Sequence, residues 1–144
     1  MTRAVPVVVF DVNETLSDMA PIAGRFADLG APEHLARLRF ADVLRDGFAL
    51  SAVGRSRTFS EIAGGVLANV LADTSLDRDM DSAVAHVMAG FMELPVHADV
   101  SDGVRALARA GFRLVTLSNG SAEIAERLLA AAGIREHFER CLSV

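Results

Sequence analysis

Asp11 directly follows the apolar run Val5-Pro6-Val7-Val8-Val9-Phe10. A carboxylate at the mouth of a buried strand is held in place and partly desolvated, which suits a nucleophile. Thr15, four residues on, can turn back and hydrogen-bond the loop or the carboxylate. The alternative is an aspartate that merely caps its own loop, and on these residues alone both readings stand. Asn13 and Glu14 read as ordinary loop residues. Ser118 and Asn119 close a second apolar run, Phe112-Arg113-Leu114-Val115-Thr116-Leu117. A hydroxyl and an amide there can hold a substrate carboxylate or a leaving group. Gly120 lets backbone come close, and a following helix presents N–H groups to an anion. A plain strand-to-helix turn is the alternative. Two such loops in one chain shift the balance towards a site.

The elements that must position these loops follow from the apolar pattern. Val5–Phe10 is continuous and β-branched, which predicts a strand buried on both faces, as in a parallel sheet. Residues from Ser17 to about Phe91 read as helices. Pro32 opens one that Gly54 ends, with Leu35, Leu38, Ala41, Leu44 and Phe48 as its apolar stripe. Thr58-Phe59-Ser60-Glu61 has capping-box spacing, followed by Ile62, Val66, Leu67 and Val70. Asp79 or Asp81 starts another helix, with Met80, Val84, Val87, Met88 and Phe91 as its stripe. Ser101 or Asp102 caps a short helix that Gly111 ends. Phe112–Leu117 is a second strand, then comes a helix closed by Gly133, and Cys141-Leu142-Ser143-Val144 begins a third strand. The order is that of a parallel α/β sheet with a helical block inserted after the first strand. Ligands bind at the carboxyl ends of such strands, so the two polar loops should face one another.

Composition narrows the chemistry. The chain has 144 residues, 51% of them hydrophobic, enough for one core. Its formal net charge of −5 argues against a general nucleic-acid-binding surface. All 14 basic residues are Arg, and there is no Trp or Tyr, so no mechanism can draw on a Lys amine or a Tyr phenol of this chain. The single cysteine, Cys141, excludes an internal disulfide and a cysteine zinc cluster, and fits a reducing cytoplasm. No apolar run is long enough to span a bilayer.

Phe10-Asp11-Val12-Asn13-Glu14-Thr15-Leu16 with Leu117-Ser118-Asn119-Gly120-Ser121 resembles the haloacid dehalogenase superfamily, and within it the type II L-2-haloacid dehalogenase branch. The resemblance implies a Rossmann-like core of residues 1–15 and 96–144, incomplete at this length, with an inserted helical cap of residues 16–95. It implies that Asp11, assisted by Thr15, attacks the α-carbon of a small 2-haloacid. Halide leaves with inversion, and water cleaves the resulting ester at the Asp11 carboxyl carbon. Val12, Asn13 and Ser118 would line the substrate, with Ser118 and nearby N–H groups on its carboxylate. Asn119 and a cap arginine would receive the halide. Arg39 is the best match for that arginine, while Arg37 and Arg45 read as solvated charges. His34, His86, His97 and His137 match no family position.

Two departures matter. The superfamily's phosphatases carry Asp two residues after the nucleophile, as a general acid, and bind magnesium there. Asn13 stands at that position and cannot donate a carboxylic proton, whereas a halide leaves without one. This favours a dehalogenase without cofactor or metal over a magnesium-dependent phosphatase. The family also places a lysine, a serine or asparagine pair and a water-activating acid further along than Val144. The expectation is therefore a fragment, an incomplete product, or a sheet completed by another chain or by a homodimer. On its own it would be a catalytically inactive binding module, or would alkylate Asp11 once. Its first strand would be a bare apolar edge.

Overall fold

The computed structural model describes residues 5–144. Along the chain the elements are β1 (Val7–Phe10), α1 (Pro21–Ala27), α2 (Leu35–Ala52), α3 (Phe59–Leu71), α4 (Met80–Gly90), α5 (Val100–Arg109), β2 (Arg113–Ser118), α6 (Ala122–Ala131) and β3 (Phe138–Ser143). They form two compact units, one of residues through Met19 with Met92–Val144, the other Ala20–Phe91. Residues 16–19 and 92–95 group with the sheet unit, and the two segments pair backbone to backbone. Asp18 N–H donates to the Pro95 carbonyl at 2.9 Å, His97 N–H donates to the Leu16 carbonyl at 3.0 Å, and Ser17 bridges Val96.

The first unit is an α/β layer. Its sheet has the order β1-β2-β3, all parallel. The face carrying Leu114, Thr116, Ser118 and Phe138 is buried, and Phe10 meets Phe138 edge-on at 5.9 Å. Val104 of α5 and Leu128 and Leu129 of α6 complete this core. Left-handed Gly111 (φ 83°) and Gly133 (φ 64°) stop α5 and α6 as expected. α5 begins at Val100 after Asp99, so Ser101 and Asp102 lie inside its first turn and do not cap it.

β1 differs from the both-faces expectation. It is a four-residue edge strand whose burial alternates, with Val9 56% exposed and Val7 also exposed, as are Leu117 of β2 and Leu142 of β3. A continuous apolar run reports that both faces are apolar, not that both are covered.

The second unit is helical. The capping box at α3 is complete: Thr58 accepts from Glu61 N–H, and the Glu61 carboxylate accepts from Thr58 N–H at 2.9 Å. Asp79, not Asp81, caps α4 through Ser82 N–H. Val43, Ala63 and Val66 form a core with Phe59, Ile62, Val70 and Met88 against it. α2 turns the opposite way from its expected stripe. Arg39 and Val43 face inward, while Phe48 is 66% exposed and Leu38 is also exposed. Replacing Thr58 with Ala removes the cap of α3 and should lower the unfolding free energy by about 1 kcal/mol in urea titration. No loss would show that the cap is idle.

Candidate active site

The loop after β1 is built around one carbonyl. Val12 C=O accepts from the N–H groups of Leu16 and Ser17 at 3.0 Å, from Thr15 N–H at 3.3 Å and from the Ser17 hydroxyl at 3.2 Å. Val12, Leu16 and Ser17 are buried, so the turn is anchored from below. The anchor swings Thr15 back, and its hydroxyl donates to Asp11 Oδ2 at 2.9 Å. Asp11 itself is exposed, contrary to the desolvation expected of it. Its hold comes from Thr15 rather than from burial.

Glu14 is the one described non-glycine residue with positive φ, at 61°. That conformation costs roughly 1–2 kcal/mol for an L-residue. Three contacts hold it. Its N–H donates to Ser17 Oγ at 3.2 Å, its carboxylate accepts from Met19 N–H at 3.1 Å, and its carbonyl meets His97 Nε2 at 3.3 Å. Glu14 and His97 therefore shape the loop that carries Asp11. Their residue types alone gave no sign of it, because nothing in them reports a dihedral angle or a contact 83 residues away.

The second loop meets the first. A Cβ on Gly120 would lie 3.3 Å from Ser118 Oγ and 3.5 Å from Asn13 Nδ2, so the Asn13 amide stands beside the Ser118 loop. Ser118 is buried and accepts from Gly120 N–H at 2.9 Å, while Asn119 is exposed. Ser121 caps α6. Asp11, Val12, Asn13, Thr15, Ser118 and Asn119 thus all belong to the sheet unit, at the carboxyl ends of β1 and β2.

Arg39 belongs to the helical unit and is 1% exposed. Its guanidinium lies 4.3 Å over the Phe91 ring, and NH2 reaches only Met88 Sδ, at 3.9 Å. Nε and NH1 are buried without a partner. Burial pushes Arg39 down to about 10. By contrast, Arg45 pairs with Asp42 and Asp46, and Arg37 is exposed. Of these three arginines, Arg39 is the one buried with donors unmatched. Cys141 is half-buried, and burial pushes its thiol up. Among the described residues no cluster of His, Cys, Asp and Glu could hold a metal, and no helix is long and apolar enough to cross a membrane.

These features define a parallel α/β protein in which a carboxylate loop and a hydroxyl–amide loop meet at the strand ends. The profile of the haloacid dehalogenase-like hydrolases matches residues 5–144. The chain belongs to the haloacid dehalogenase-like hydrolase family. It is similar to an (S)-2-haloacid dehalogenase of Pseudomonas sp. (strain YL), 27% identical over 95% of this chain and 60% of that protein. It is also similar to haloacetate dehalogenase H-2 of Moraxella sp. (strain B), 25% identical over 99% of this chain and 64% of that one. The crystal structure of a dehalogenase superposes with a TM-score of 0.85 at 25% identity, covering 99% of this chain and 64% of the other. The chain thus spans about three fifths of the length of the curated relatives it matches.

An unpaired buried cation costs stability. The group is a base whose folded pKa is lowered, so the cost is fully present below about pH 10 and relieved as pH rises above it. Arg39→Met should therefore raise the unfolding free energy at neutral pH by roughly 1–3 kcal/mol. Urea unfolding checks it, and a less stable variant would show that Arg39 is already satisfied.

Proposed function

We propose that the protein hydrolyses short (S)-2-haloacids through an ester on Asp11. The observation that carries this reading is the hydrogen bond from Thr15 to Asp11 Oδ2. It fixes one carboxylate oxygen and leaves Oδ1 to attack. That oxygen forms a bond to the substrate α-carbon, the carbon–halogen bond breaks with inversion, and halide departs with the electron pair. Water then adds to the Asp11 carboxyl carbon, releases the 2-hydroxyacid and restores the aspartate. Ser118, with Val12 and Asn13 beside it, holds the substrate carboxylate. Asn119 fits the halide in the sheet unit, and Arg39, whose Nε and NH1 are unmatched, is the cap arginine whose charge suits a halide.

Asn13 supports the branch. A phosphate ester's leaving oxygen needs a proton, which an amide cannot give, whereas a halide needs none. The reading accordingly requires no metal or other cofactor, and no nucleic-acid or membrane partner. Half-buried Cys141 suits a reducing compartment, and the reading places the protein in the cytoplasm. The uncovered edge of β1 can accept a further strand.

The test is halide release from 2-chloropropionate, catalytic or single-turnover, with excess chelator. Release should survive the chelator and vanish in Asp11→Asn. Arg39→Ala should lower its rate about a hundredfold, and Arg37→Ala and Arg45→Ala should lower it far less. Magnesium-dependent release of phosphate from an aryl phosphate, lost in Asp11→Asn, would overturn the choice of branch.

A further inference from the structure

We infer that Ser143 is a positioning residue that aims the Ser118 hydroxyl at the substrate carboxylate, acting through Gly120. The inference rests on the reading of Ser118 as the carboxylate-holding residue. Ser143 pairs with Ser118 in the register of β3 against β2. Its hydroxyl donates to the Gly120 carbonyl at 2.8 Å, and the Gly120 N–H donates to Ser118 Oγ at 2.9 Å. The Val144 N–H holds the Ser118 carbonyl at 3.1 Å.

A serine hydroxyl rotates freely and has one hydrogen to donate and two lone pairs to offer. Gly120 N–H occupies one lone pair, which turns the hydrogen away from Gly120 and leaves it free for an incoming carboxylate. That orientation lasts only while Gly120 keeps its φ and ψ, because its N–H belongs to the 119–120 peptide and its carbonyl, held by Ser143, to the 120–121 peptide. Glycine resists rotation poorly, and a side chain that would stiffen it would press on Ser118 Oγ at 3.3 Å. Ser143 supplies the missing restraint from the neighbouring strand. Donors held in place before the ligand arrives bind it without the cost of ordering them.

The experiment is calorimetric titration of the 144-residue chain with propionate, which carries the carboxylate without a leaving group, and separately with bromide. Ser143→Ala should weaken propionate binding about tenfold and leave bromide binding unchanged. Ser143→Thr, which keeps the hydroxyl, should retain the affinity. Adding Ser143→Ala to Ser118→Ala should cause no further loss. If Ser118→Ala leaves propionate affinity intact, the reading of Ser118 fails. If Ser118→Ala weakens it and Ser143→Ala does not, the positioning role alone is overturned. Equal loss of propionate and bromide in Ser143→Ala would mark a general structural defect and also overturn it. Propionate binding absent from the parent chain would overturn both.

Discussion

The site depends on the parallel pairing of β1 with β2. Phe10 stands opposite Thr116, so Asp11 leaves the sheet level with Leu117, one residue before β2 ends at Ser118. A shift of one residue would exchange the faces of β1 and put Val7 and Val9 where Val8 and Phe10 now pack. It would also part Asn13 from Gly120, the contact through which the two loops meet. The register is held by the buried face, where Leu114 and Thr116 lie fully covered and Phe10 touches Phe138. Backbone register and apolar packing thus decide where the carboxylate stands.

What the register delivers, the first loop refines. Four donors on the Val12 carbonyl close the turn, and Glu14 takes a left-handed conformation to let Thr15 reach Asp11. Arg39 shows the same willingness to spend stability. A desolvated guanidinium resting on Phe91 and a thioether, with two donors unmatched, is a poor core residue. Local rules are broken most often at functional positions. Glu14 and Arg39 each break one.

The parts legible in the sequence were those with local signatures. Thr58 and Glu61 announce a capping box because the contact spans three residues, and Gly111 and Gly133 announce helix ends because glycine accepts positive φ. The paired loops at Asp11 and Ser118 were legible as well, since each follows an apolar strand. The inward face of α2 was not, because a hydropathy stripe cannot anticipate that Arg39 is buried and Phe48 exposed. Nor were the roles of Glu14, His97 and Ser143. These depend on a dihedral angle or on contacts between residues far apart in the chain, which residue type alone does not record.

The central claim is that Asp11 itself bonds to the substrate. The direct measurement is mass spectrometry of the peptide containing Asp11 after incubation with 2-bromopropionate in water enriched in oxygen-18. If Asp11 is the nucleophile, that peptide carries either a propionate ester or, after hydrolysis, heavy oxygen in its carboxylate. Bromide release with the peptide unchanged, and heavy oxygen appearing directly in the product of a single turnover, would contradict the account.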